Sequence, residues 1–220
     1  MQSFDALLRE AEIAHGHLCA GQVLGVRMAM LGCRMLGIDD PRGLATPADR
    51  KRLVTFVEID RCATDAIAVV TGCRLGKRAL KFRDWGKMAA SFLDLGRPAI
   101  SDPADSTRSL EAIPPGRAVR VAALESSKQR ARELYPHIES KNAQQMLAYR
   151  ELPDEHLFSA EWVSIPLNPR EMPGYKSARI ACELCGEGIN YDREVVREGR
   201  TLCYSCAFPE ACYYRSCSPL

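Results

Sequence analysis

The sequence predicts an α+β core over residues 1–167, a linker over 168–178 and a small cysteine-rich module over 179–220. Three observations carry this expectation. Helix-period apolar segments fill the first 36 residues, and β-branched or aromatic runs follow them without regular βαβ alternation. A stretch carrying Pro166, Pro169, Pro173 and Gly174 then separates this body from a tail holding six of the ten cysteines.

Ser3 can cap a first helix running to about Ala14, with Phe4, Leu7, Leu8, Ala11 and Ala14 along one face. His15-Gly16-His17-Leu18-Cys19-Ala20-Gly21 interrupts the pattern. A second helix is expected from about Gln22 to Leu36, ending at Gly37, where a left-handed cap fits. It is apolar almost all round (Val23, Leu24, Val26, Met28, Ala29, Met30, Leu31), as a buried central helix is. Residues 41–50 read as a loop. Leu53 to Ile59 is rich in β-branched and aromatic residues and reads as a strand. It leads through Asp60–Asp65 into a short apolar helix, Ala66 to Val70, closed by Thr71-Gly72-Cys73. Leu80 to Trp85 is expected to be another strand, residues 94–117 a proline- and glycine-rich stretch, and Ala118 to Leu124 one more strand. Residues 127–151 are helical in composition, with Pro136 splitting them in two. Leu157 to Leu167 is expected to be mostly extended.

A hydrophobic share of 46% and a charged share of 26% suit a soluble globular chain. The net charge of +2 gives no overall attraction to nucleic acid or anionic membrane. No basic start is followed by an uninterrupted apolar run, so no export signal is read. The longest apolar segment, 18–38, is broken by Arg27 and Arg34. A cytoplasmic location without membrane contact is expected. In that setting ten cysteines point to metal binding and thiol chemistry rather than to a disulfide framework.

Cys182-Glu-Leu-Cys185-Gly and Cys203-Tyr-Ser-Cys206 are two C-x-x-C knuckles seventeen residues apart. Each knuckle aims two thiolates at one point, and the intervening hairpin brings the pairs together around a tetrahedral structural Zn²⁺. Gly186 and Gly188 suit the tight turn after the first knuckle. The alternative is four buried thiols without metal. Cys212 and Cys217 lie beyond the knuckles as idle thiols, a labile disulfide or alternative ligands. The knuckle sequence resembles the DksA/TraR-type zinc finger, a protein-contact module; a plain zinc staple for a tail too small to hold its own core is the competing reading.

The N-terminal cluster carries the sharper chemistry. His15, His17 and Cys19 place two imidazoles and a thiol within five residues, at the start of a helix whose positive end favours thiolate. Cys62 has a similar setting, where a strand gives way to a helix. His15, His17, Cys19 and Cys62 are therefore the candidate ligands of a second metal ion, and His17, Cys19 and Cys62 the candidate catalytic residues. Cys33 lies about 20 Å along the helix from Cys19 and reads as a core residue; Cys73 lies about 16 Å from Cys62. Arg74-Leu-Gly76-Lys77-Arg78 is a basic glycine turn in which Arg74 and Lys77 could hold an anion. It lacks P-loop spacing, and Arg78 stands at the Ser/Thr position. His137 and His156 lie in polar segments and read as surface residues.

Four motifs in order resemble the FmdE family, the formylmethanofuran dehydrogenase FmdE component and its relatives. They are His-Gly-His-x-Cys-x-Gly at 15–21, Cys-x-x-Asp-Ala-Ile at 62–67, Thr-Gly-Cys-x-x-Gly-Lys at 71–77 and Leu-Pro-Asp-Glu-x-Leu-Phe at 152–158. Ala20 stands where relatives often carry proline, and Arg74 where a small polar residue is common. The resemblance implies an α+β core, commonly a homodimer, with a cleft lined by the His-x-His-x-Cys segment and the Cys62 region. It also implies association with a molybdenum or tungsten formylmethanofuran dehydrogenase.

Three functions compete on these residues. The chain is a metal-binding accessory subunit or partner of a molybdopterin or tungstopterin oxidoreductase, or an enzyme using His17, Cys19 and Cys62 as a metal or thiolate centre on a small substrate. The third reading is a regulator whose finger contacts protein or nucleic acid. Only Arg193, Arg197 and Arg200 among basic residues inside the finger count toward nucleic acid, which makes that partner the weakest.

Overall fold

Helix α2 (Ala20–Leu36) lies at the centre of the first of two units because its apolar residues leave no solvent-facing stripe. Val23, Leu24, Val26, Met28, Ala29, Cys33 and Leu36 are all buried. The computed structural model describes residues 1–42, 51–96 and 116–214. The first unit comprises Met1–Asn168 with Met172–Gly174, and the second Pro169–Glu171 with Tyr175–Leu220. Residues 43–50 of the loop expected at 41–50, most of the stretch at 94–117 and Cys217 lie outside the described residues.

Helix α1 (Phe4–His15) begins at Ser3, whose side-chain oxygen accepts the Ala6 N–H at 3.3 Å, and it buries Leu7, Leu8 and Ala11. Gly16 ends it at φ 94°, a left-handed conformation that costs glycine nothing. The chain then turns straight into α2, which starts at Ala20, two residues earlier than its apolar pattern suggests, and ends on Gly37 at φ 70°.

Among the described residues, five strands form one sheet in the order β2-β1-β3-β4-β5: β1 (Leu53–Val57), β2 (Leu80–Phe82), β3 (Ala89–Asp94), β4 (Gly116–Ala123) and β5 (Phe158–Ile165). Only β1 and β2 pair in parallel, joined through helix α3 (Cys62–Thr71); the other pairings are antiparallel. One crossover unit within an antiparallel sheet makes this an α+β fold. Helices α4 (Ser126–Leu134) and α5 (Lys141–Glu151) flank Pro136, as its missing N–H and fixed ring require. A short helix, α6 (Asp154–Leu157), leads into β5.

Three elements depart most from the sequence expectation. Helix α3 begins at Cys62 rather than Ala66, so Cys62 is a first-turn residue and not a loop residue. Strand β2 stops at Phe82 instead of reaching Trp85, because β1 offers partners only as far as Val57. Strand β3 has no counterpart in the expectation, yet it is the middle strand and is buried throughout, pairing Val57 with Ala90 on one side and Ala90 with Val121 on the other. A strand covered on both faces shows no alternation, and Ala89-Ala90-Ser91 carries little β propensity.

Helices α2 and α3 meet very closely. An ideal Cβ on Gly25 would lie 2.5 Å from the Ala63 carbonyl oxygen and 2.7 Å from its Cα. Gly32 makes the corresponding approach to the sheet, where a Cβ would meet the Phe92 ring at 2.2 Å. Among the described residues, no helix is long and apolar enough to cross a membrane.

Candidate metal centre and thiol cleft

The turn between α1 and α2 carries His15, His17 and Cys19. Their ligand atoms all lie within 4.8 Å of one another. His15 is the last residue of α1 and Cys19 the N-cap of α2, so the helix ends fix the two outer members. His15 Nδ1 is 2.8 Å from Asp65 Oδ2 on α3, which leaves Nε2 as the nitrogen able to meet a cation. The His15 and His17 rings stand 4.7 Å apart between centroids. Two imidazoles and a thiol, with a carboxylate orienting one imidazole, form a donor set suited to a borderline transition-metal ion and leave room for a further ligand.

Cys19 caps α2 with its backbone only. Its carbonyl accepts the N–H groups of Gln22 and Val23 at 3.0 and 3.3 Å, while its side chain makes no capping bond. The missing side-chain cap comes from α5, where Asn142 Oδ1 accepts the Ala20 N–H at 3.0 Å. The Cys19 thiol is thereby left for the cleft rather than for its own helix.

Cys62 begins α3 beside it. Gln22 donates its Nε2 to the Cys62 carbonyl at 2.7 Å, tying the two helix starts together, and its own Oε1 is buried without a partner among the described residues. Burial pushes the Cys62 thiol up, and the neighbouring Cys19 thiol pushes it further in the same direction. Cys62 adjoins the three-residue set but is not within the mutual 4.8 Å that unites His15, His17 and Cys19. A cleft of about 360 Å³ opens on both thiols, with Gly21, Leu24, Met88 and Tyr149 among its walls. A second hollow, about 350 Å³, runs over His15, Asp65 and Cys62.

Arg74 and Lys77 do not join this site. Both are exposed on the turn after the far end of α3, about 15 Å of helix from Cys62. Cys33 and Cys73 are buried in the core, and burial pushes the Cys33 thiol up to about 12. His137 is exposed and His156 half-buried; neither belongs to a ligand cluster among the described residues.

In the second unit, β6 (Ile180–Ala181) pairs with β7 (Gly188–Ile189), and β8 (Val195–Arg197) with β9 (Arg200–Leu202). The first hairpin carries Cys182 and Cys185; the second delivers Cys203 to the N-cap of a short helix, α7 (Tyr204–Ala207), which bears Cys206. Gly186 turns the first knuckle at φ 76° and donates its N–H to the Cys182 carbonyl at 2.9 Å. The four sulfurs lie within 4.8 Å of one another, and Cys185 Sγ is 3.8 Å from Cys203 Sγ. Tetrahedral zinc with Zn–S of about 2.3 Å needs sulfurs about 3.8 Å apart, so the cage fits the ion. Its electrostatics agree. Backbone N–H groups, those of Cys185 and Cys203 foremost, hold the Cys182 thiol down to about 6, and Ser205 lowers that of Cys203. The Cys203 sulfur pushes Cys206 up to about 12. Four such thiols shed their protons together only around a cation. Cys212 stands outside the four-sulfur set.

Residues 14–159 match the family described as FmdE, molybdenum formylmethanofuran dehydrogenase operon, and residues 174–210 match the prokaryotic dksA/traR C4-type zinc finger. A relative from Archaeoglobus fulgidus, named a probable S-adenosyl-L-methionine-binding protein, is 31% identical over 91% of this chain. The chain spans 52% of that relative's length. The crystal structure of a tungsten formylmethanofuran dehydrogenase FmdE-like protein from Syntrophus aciditrophicus superposes with a TM-score of 0.55 at 18% identity, covering 96% of this chain and 95% of that one.

Proposed function

The chain belongs to the FmdE family, and from that premise we propose that it is a metal-binding accessory subunit of a molybdopterin or tungstopterin oxidoreductase of the formylmethanofuran dehydrogenase type. Its second metal ion is held by His15, His17 and Cys19. The observation that supports this most is the ready-made donor set at the α1–α2 turn, with Asp65 orienting His15 from a separate helix. A bound ion would act there as a Lewis acid toward a small ligand entering the cleft. The chain's own contributions are distinct from that. Asp65 fixes the His15 tautomer, Asn142 frees the Cys19 thiol from capping, and Gln22 holds the start of α3 against that of α2. The finger is a zinc-stapled appendage that steadies its own fold. A homodimer and a cytoplasmic location complete the reading.

A second reading, an enzyme acting alone on a small substrate, is favoured by the cleft of about 360 Å³ that opens on Cys19 and Cys62. Elemental analysis of anaerobically purified chain tests the shared premise. Two metal ions per chain are expected, falling to one in Cys19→Ser; a single zinc in both rules out the second site.

A further inference from the structure

We propose that Cys19 and Cys62 form a reversible disulfide, a two-electron redox couple at the head of the cleft. The proposal rests on the reading of this corner as the working site and adds what its second thiol does. Cys62 is not needed for the three-residue donor set, yet it lines the same cleft as Cys19, and Gly21 lies against both side chains. The two thiols start two different helices, so their meeting is imposed by the fold and not by chain proximity.

Gly21 shows that the space between them is kept open. Its backbone is ordinary right-handed helix, so nothing about its conformation calls for glycine. An ideal Cβ there would lie 3.0 Å from the Cys62 Cβ and 3.6 Å from the Cys19 sulfur. A side chain at this position would press on the Cys62 Cβ and touch the Cys19 sulfur. Gln22, one residue on, pins the Cys62 carbonyl and limits how far α3 can drift.

Access separates this pair from the other cysteines of the first unit. Cys19 and Cys62 are half-buried and both line the cleft, whereas Cys33 and Cys73 are sealed in the core. A small disulfide can therefore reach one pair and not the other. In the exchange, one thiolate attacks a sulfur of an incoming low-molecular-weight disulfide RSSR, forming a mixed disulfide and releasing RS⁻. The second thiolate then attacks the protein-side sulfur and releases the other RS⁻. Two cysteine thiols are oxidised to one cystine, RSSR is reduced to two RSH, and the two cysteine protons leave on the products. Because Cys19 also belongs to the metal-donor set, oxidation and metal binding exclude each other.

The test uses the full chain, reduced under anaerobic conditions and equilibrated with mixtures of reduced and oxidised glutathione in the presence of EDTA. Samples are quenched in acid, alkylated, digested and mapped by mass spectrometry. We expect a peptide pair joined through Cys19 and Cys62, rising with the share of oxidised glutathione and lost in Cys19→Ser and in Cys62→Ser. Wild type in which both thiols stay open to alkylation at every ratio, or carry glutathione separately, overturns the couple. That readout is independent of the metal count. A joined pair in a chain holding a single zinc keeps the couple and removes the second metal, and two metals without a joined pair does the reverse.

Discussion

Replacing Gly25 by alanine should destabilise the first unit, although glycine to alanine inside a helix ordinarily stabilises. At an unencumbered helical position the exchange gains about 0.8–1 kcal/mol. Here the new methyl would stand 2.5 Å from the Ala63 carbonyl oxygen, 2.7 Å from Ala63 Cα and 2.9 Å from Ala66 Cβ. The obstacle is mostly backbone, which has no rotamer to yield, so α3 must retreat by about 1 Å to restore ordinary contact. Overpacking of this kind costs about 1–3 kcal/mol, more at a rigid contact, and it exceeds the propensity gain. A net loss of about 1–2 kcal/mol is expected, a fall in thermal midpoint of several degrees for a unit of this size. Because Ala63 follows Cys62, the same retreat opens the gap between Cys62 and Cys19. The assay is urea unfolding of wild type and Gly25→Ala, with Gly76→Ala as the comparison, since nothing lies within 4 Å of a Cβ there. Gly76→Ala should stay within about 0.5 kcal/mol of wild type. A Gly25→Ala protein as stable as wild type, or more so, would refute the close crossing of α2 and α3.

Three further outcomes follow from the geometry. Asp65→Asn removes the carboxylate that orients His15 and should weaken binding of the proposed second metal about 10–100-fold, read by competition with a chromophoric chelator; unchanged affinity means Asp65 is a bystander. Stripping zinc from the full chain should melt the finger, whose buried core is little more than Cys182, Ile189, Leu202 and Ala207, and amides over 180–207 should lose hydrogen-exchange protection while those of β1 and β3 keep theirs. Persisting protection over 180–207 would show that the finger does not depend on its ion. Cys33 has its folded pKa raised to about 12 by burial, so its contribution is fully present below the unfolded value near 9 and is lost as pH rises toward 12, at about 1.4 kcal/mol per pH unit. Urea midpoints of Cys33→Ala should therefore fall less steeply above pH 9 than those of wild type; parallel slopes would mean that the thiol ionises equally in both states.

Much of the fold is legible because its helices announce themselves. Ser3 and Gly16 bracket α1, Gly37 closes α2, and Pro136 divides α4 from α5, each through a local rule that needs no tertiary knowledge. The sheet is less so. Strand β1 is visible in Val54-Thr55-Phe56-Val57, but β3 is not, because Ala89 and Ala90 are small to suit a strand covered on both faces. Ala90 sits opposite Val57 and Val121, partners 33 and 31 positions away, and that pairing has no local trace. The start of α3 escapes for a related reason. Asp60-Arg61-Cys62 reads as loop, and the helix that begins there is fixed by packing on α2 at Gly25, not by propensity.

The site divides along the same line. His15, His17 and Cys19 are contiguous, so their meeting is legible as a pattern, and so are the two knuckles of the finger. The residues that give the N-terminal cluster its chemical character are scattered. Asp65 lies within one of the recognised motifs, yet nothing in that motif says that it faces His15 from 50 residues away. Asn142 caps α2 from 122 residues away, in place of the side chain that a local rule would assign to the N-cap itself. A cysteine at an N-cap with no capping bond therefore looks, in sequence, like a poor helix start. In the fold it is a thiol released from structural duty. Gly21 and Gly25 behave alike: both sit in a helix where glycine weakens the backbone, and both are explained only by what lies opposite, Cys62 in one case and Ala63 in the other. Two unfavourable glycines and an N-cap without its own side-chain bond, spaced along the first turns of one helix, are the cost of bringing Cys19 and Cys62 together. That cost falls on the residues facing α3, which ties the chemistry of this corner to the crossing of two helices.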